Sequence, residues 1–252
     1  MNEPTKERTF FESPTTAPPI SPPETPRSPN PSSRPVLTSG ELERLDGPID
    51  DLWPVLIKDS EQNTVERLLV CGAGPGVGTT TVALMAAAGL AQHLFTATVL
   101  VETNFGSPSL AQAFNLPVSQ GLRRVLEGTT DVASAIVETG VPFLSVLPAG
   151  APTPSFPGAF ARPSARPVLE YLEGRFTHVI YDAPPLTEVP DARLLLDEVD
   201  AAIVVAAAGE TPRHEVRRAV ELVQDSGTEF LGVVLNRFRP DAPEWLVPGR
   251  SR

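Results

Sequence analysis

Residues 67–81 read Arg67-Leu68-Leu69-Val70-Cys71-Gly72-Ala73-Gly74-Pro75-Gly76-Val77-Gly78-Thr79-Thr80-Thr81. A short run of branched aliphatic residues is followed by a glycine-rich turn and then by threonines that open an Ala-rich segment ending at His93. The pattern predicts a buried strand over Arg67–Gly72 and a helix over Thr79–His93. Strand, glycine turn and helix in this order form an anion cradle. The orphan N–H groups of the turn and of the first helical residues converge there, and the helix N-terminus adds partial positive charge. Gly74, Gly76, Val77, Gly78, Thr79, Thr80 and Thr81 are the candidate cradle residues.

Outward from this turn the chain alternates between strand and helix patterns. Strands are predicted at Ala97–Glu102, Phe143–Leu147, His178–Tyr181, Ala201–Ala206 and Phe230–Leu235. Short helices are predicted at Leu110–Phe114, Gln120–Glu127 and Val132–Glu138, and a longer one at Ala165–Gly174, interrupted at Pro167. Val216, Ala219, Val220 and Val223 mark the buried stripe of a further helix. Such alternation implies an α/β fold, a doubly wound and mostly parallel sheet with helices on both faces. A Pro-rich loop follows Leu147, with seven prolines from Pro142 to Pro167, and reads as a connector or a lid.

Composition narrows the function classes. The chain has 252 residues, a net charge of −11 and one cysteine. One cysteine excludes a disulfide framework and a Cys-based metal site. The acidic balance argues against nucleic acid, which needs clustered cations to release counterions. The charged N-terminus lacks an apolar signal region, and no apolar run approaches about 20 residues, so a cytoplasmic location without membrane insertion is expected. Residues 1–40 hold ten prolines with four acidic and four basic side chains. The expected organisation is a disordered Pro-rich tail over 1–47, a folded domain over 48–239 and a short flexible tail over 240–252. His93, His178 and His214 are scattered and read as solvated or capping residues.

A full P-loop has the form G-x-x-x-x-G-K-[ST], with the lysine reaching the outer phosphates. Aligned on Gly78 and Thr80, the lysine position is Thr79, and the chain has no lysine after Lys58. A charge-assisted bond from that ammonium is worth about 1.5–3 kcal/mol, so its absence implies roughly ten- to hundredfold weaker polyphosphate binding. Phosphoryl transfer suffers more, because it depends on positioned charge. The cradle is expected to keep its geometry and to lack a cation of its own.

The glycine turn, Val99-Leu100-Val101-Glu102-Thr103-Asn104 with Ser107-Pro108-Ser109-Leu110, and Val179-Ile180-Tyr181-Asp182-Ala183-Pro184-Pro185 with Asp191-Ala192 together resemble the bacterial tyrosine kinases of capsule and exopolysaccharide operons. These belong to the MinD/ParA-like P-loop ATPases. The similarity runs from about Asp50 to Arg239. It implies a three-layer αβα P-loop NTPase-like fold and binding of ATP or ADP with Mg²⁺. Thr80 and Asp182 would be the metal-binding pair, Asp182 and Glu102 the catalytic carboxylates, and Asn236 would lie at the adenine edge. It further implies a membrane polysaccharide co-polymerase (a chain-length determinant protein) as partner, recruitment to the inner face of the membrane, and a homo-oligomer.

Three departures accompany the resemblance. The lysine is missing, the family's Asp-x-Asp motif is Glu102-Thr103-Asn104, and the segment from Arg237 to Arg252 has no tyrosine to accept a phosphoryl group. The chain therefore reads as a degenerate, pseudokinase-like member. The alternatives are an active tyrosine autokinase completed by a partner subunit, and a ParA/MinD-like ATPase, which the acidic surface disfavours.

Overall fold

Leu68 and Val70 of strand β3 (Arg67–Gly72) belong to one buried cluster and Leu69 and Cys71 to another, so the strand is apolar on both faces. A strand of that kind must be covered on both sides, which is the condition for a parallel sheet between two helical layers. The computed structural model describes residues 56–58, 63–117, 119–154 and 156–238. The expectations for the Pro-rich tail and for the C-terminal tail lie outside the described residues.

Two short strands, β1 (Ile57–Lys58) and β2 (Asn63–Thr64), pair antiparallel ahead of the main sheet. The sheet itself adds β4 (Thr98–Glu102), β5 (Val137–Glu138), β6 (Leu144–Leu147), β7 (His178–Ala183), β8 (Ala201–Ala207) and β9 (Glu229–Asn236). Its order is β5-β6-β4-β7-β3-β8-β9. Every neighbouring pair is parallel except β5 with β6. The expected doubly wound, mostly parallel sheet is therefore the observed one.

Helix α1 (Thr79–Leu94) covers one face with α2 (Leu110–Ala113). Every residue of α1 from Val82 to Ala91 is buried, and its many alanines let the backbone lie close against the strands. The opposite face carries α3 (Leu122–Leu126), α4 (Val132–Ala135), α5 (Ala165–Arg175), a 3₁₀ segment (Pro190–Glu198) and α6 (Arg213–Ser226). No helix among the described residues is long and apolar enough to cross a membrane.

Three local expectations are corrected. Pro167 does not interrupt α5, because it is the third helical residue, where its missing N–H has no intrahelical acceptor to lose. The helix predicted over Val132–Glu138 ends at Ala135, and Val137–Glu138 instead forms β5 against Val146 and Ser145. β-Branched Ile136 and Val137 favour that extended backbone. His178 is not solvated. It is buried at the start of β7, its Nδ1 lies 3.1 Å from the Val65 carbonyl, and burial lowers its pKa against the weaker opposing effects of that bond and of Glu66.

The Pro-rich loop is tied down at several points. Thr153 N–H donates to Phe105 O (2.9 Å), Gly158 N–H to Asp191 Oδ2 (2.6 Å) and the Ser164 hydroxyl to Leu126 O (2.5 Å). Phe105 makes an edge-to-face contact with Phe156 at a 5.0 Å centroid distance. The loop is thus a packed connector beside the carboxyl edge of β4.

Candidate functional site at the carboxyl edge of the sheet

Of the five buried polar or charged side chains among the described residues, Glu102, Thr103 and Asp182 sit together where β4 and β7 end. Register explains the juxtaposition. Glu102 pairs with Asp182 across β4 and β7, and Asp182 pairs with Val70 of β3, two residues before the glycine turn begins. Ligands of open parallel sheets bind at this edge.

The turn leaves β3 with Ala73 N–H bonded to Val205 O of β8 (2.8 Å). Side chains are excluded from it by contact and by dihedral angle. A Cβ on Gly72 would come 2.7 Å from Gly74 O and 2.8 Å from Thr79 Oγ1. Gly78 has φ of +90° and caps α1, and a Cβ there would come 2.1 Å from Asn236 Nδ2. Asn236 reaches the turn from the end of β9. Its Nδ2 donates to Val77 O (2.8 Å), and its Oδ1 accepts from Arg237 N–H (2.8 Å). Asn236 is therefore brought to the cradle, and its position is that of a clamp on the turn. Thr79 and Thr80 stand half-buried at the start of α1, with Thr81 exposed beside them.

Asp182 carries the electrostatic signature of the site. Burial pushes its carboxyl up to about 7, the Thr80 hydroxyl bonded to it pulls the other way, and the Glu102 charge adds to the rise. Its Oδ2 is buried without a hydrogen-bond partner. An uncompensated buried carboxylate oxygen is costly, and a cation satisfies it. The Thr80 hydroxyl, within 3.4 Å of Ser109 Oγ, completes a hydroxyl–carboxylate pair. Such a pair fits Mg²⁺, which takes one or two protein oxygens and fills its octahedron with water and phosphate oxygens. No group of three His, Cys, Asp or Glu side chains among the described residues offers an all-protein metal site.

Glu102 is placed differently. Its Oε1 accepts from Ser109 N–H (2.5 Å) and Leu110 N–H (2.9 Å), and its Oε2 from Ala149 N–H (3.0 Å). Both oxygens are thus committed to main-chain donors, one pair at the start of α2 and one in the loop after β6. The carboxylate ties two site-forming loops to the end of β4.

The expectation that the cradle lacks a cation is corrected in one respect. Arg166 is paired with Glu170 and Glu198 on the α5 side, and Arg162 lies over the Phe156 ring at 4.6 Å. Arg237 instead folds onto the turn, its Nη2 donating to Gly76 O (2.6 Å) and its Nη1 to Glu210 Oε2 (2.6 Å). A carboxylate also approaches, since Glu215 Oε2 lies 2.9 Å from where a Gly74 Cβ would stand. Sequence reasoning missed Arg237, Glu210 and Glu215. The one available signal was that Arg237 follows Asn236, already assigned to the site.

No protein-family model matches the chain. The tyrosine-protein kinase CpsD of Streptococcus agalactiae serotype III is 30% identical over 178 residues, which cover 70% of this chain and 75% of the relative. The solved VpsO kinase domain matches with a TM-score of 0.69 and 25% identity over 79% of this chain and 98% of that domain. The cell division ATPase MinD of Pyrococcus furiosus shares the fold, with a TM-score of 0.55 and 21% identity over 69% of this chain and 73% of that one. The similarity to CpsD, spread over most of both chains, shows that the chain belongs to the CpsD-like bacterial tyrosine-protein kinases.

Proposed function

We propose that the protein is a kinase-like regulator of capsule or exopolysaccharide synthesis and export, one that binds ATP or ADP with Mg²⁺ and transfers phosphoryl groups weakly or not at all. The observation that carries this reading is a retained cradle and a retained Thr80–Asp182 pair around a turn whose lysine position is Thr79. The glycine turn would bind phosphates through its N–H groups, Thr80 and Asp182 would hold Mg²⁺, and Glu102 would position the loops beside them. Bound Mg²⁺ would supply neutralisation of phosphate charge.

Acceptor chemistry supports weak transfer within the chain. Of its two tyrosines, Tyr181 is fully buried in β7 and Tyr171 packs partly against the core on α5. Burial raises the Tyr181 phenol far above its ordinary pKa, with its oxygen unpartnered. A phenol held there cannot meet a γ-phosphate without local unfolding. The resemblance supplies a membrane co-polymerase as partner and a homo-oligomer as assembly.

The kinase names of the relatives favour a second reading, an active tyrosine kinase completed by a partner subunit. Calorimetric titration with Mg-ATP tests the first reading, and label transfer from γ-labelled ATP with and without a membrane co-polymerase separates the two. Saturable binding with negligible label on tyrosine is the expected result. Robust tyrosine label overturns it, and absence of any nucleotide binding overturns the site assignment.

A further inference from the structure

We propose that Arg237 is the cation of this glycine turn, held in reserve by Glu210 and transferred to the phosphates when a nucleotide binds. The inference rests on the reading of the turn as a nucleotide site. The guanidinium bridges Gly76 O and Glu210 Oε2, each at 2.6 Å. Two of its five N–H donors are used in these bonds, which leaves three for an incoming anion. Its backbone is set for the purpose. Arg237 adopts the left-handed region (φ of +58°), and its N–H is bonded to Asn236 Oδ1, while Asn236 Nδ2 clamps Val77 O. Thus the residue that grips the turn also aims the next side chain across it.

Charge sets the direction of the exchange. The Arg237–Glu210 pair is solvent-exposed, with 47% and 62% of the two side chains accessible. Exposed pairs of this kind are weak and easily parted. A nucleoside triphosphate presents three to four charges in place of one, so the guanidinium favours the phosphates over Glu210. The nearby carboxylate of Glu215 makes such a cation more necessary, since without Arg237 the turn meets polyphosphate with acidic neighbours and backbone N–H groups alone. A guanidinium is also suited to the task, because it binds phosphate through two parallel N–H groups.

The test measures Mg-ATP and inorganic triphosphate binding by calorimetry for the full chain and for Arg237→Gln, Arg237→Lys and Glu210→Gln. Thermal melts confirm that each variant folds. Arg237→Gln is expected to weaken both ligands by about tenfold or more. Arg237→Lys keeps the charge but loses the two-pronged contact, so its affinity should fall between those of wild type and Arg237→Gln, and Glu210→Gln should tighten binding by about two- to fivefold by freeing the guanidinium. Unchanged or tighter triphosphate binding by folded Arg237→Gln overturns the role of Arg237 and leaves the nucleotide site intact. A loss confined to ATP, with inorganic triphosphate unaffected, also overturns it, because the contact would then be to the base or sugar. If the wild-type chain binds neither ligand, the nucleotide reading fails and the inference fails with it.

Discussion

Replacing Gly78 by alanine tests how the glycine turn is held. Two separable penalties follow from the geometry. An L-residue at φ of +90° is strained, at about 1–2 kcal/mol. The new Cβ would also lie 2.1 Å from Asn236 Nδ2, so the amide must swing away and break its bonds to Val77 O and from Arg237 N–H. Losing those bonds, with a half-buried carbonyl left orphaned, costs about 1–2 kcal/mol more. Gly78→Ala should therefore destabilise the fold by roughly 2–4 kcal/mol in urea unfolding. The decisive measurement is a double-mutant cycle with Asn236→Ala, which by itself removes the same bonds. In the Asn236→Ala background, Gly78→Ala should cost only the dihedral strain, giving a coupling energy of about 1–2 kcal/mol. Additive effects would refute the clamp, because they would mean that Gly78 and Asn236 act on stability independently.

Asp182→Asn removes a buried acid whose folded-state pKa of about 7 lies above its unfolded value. Such a group contributes stability below about pH 4 and loses it as pH rises through 7, so in Mg²⁺-free buffer the variant should gain on wild type between pH 4 and 8, by on the order of 4 kcal/mol. A pH-independent stability difference in denaturant titrations would contradict this. Glu102→Gln should destabilise by about 2–4 kcal/mol at pH 7, because the amide offers one acceptor oxygen to three main-chain donors now shared between two; amide exchange at Ser109, Leu110 and Ala149 reports the loss directly. In the Arg237→Gln background, Thr79→Lys should tighten Mg-ATP binding by about tenfold in calorimetry, and no gain there would mean that the turn does not cradle phosphate.

Much of the fold is written in local pattern. The two-faced apolar runs at Leu68–Cys71 and Ala201–Ala206, together with helical stripes such as Val216, Ala219 and Val223, are sufficient for a parallel sheet between helices. Local pattern did less well at Val132–Glu138, where β5 exists only because β6 offers an edge to pair with. Pro167 misled for a related reason, since its effect depends on where the helix starts.

The site divides along the same line. From residue order alone came the glycine turn, its threonines and the missing lysine, because each is encoded within a few consecutive residues, whereas Asp182 came from the family resemblance. Tertiary structure alone decided that Glu102 spends both oxygens on main-chain donors of two loops. It alone decided that Asp182 is buried with an orphaned oxygen, and that Arg237 reaches a turn 161 residues earlier in the chain. Burial and long-range hydrogen bonding depend on which strands become neighbours, and the placement of β9 beside β8 and of β8 beside β3 is what brings that guanidinium to the glycine turn.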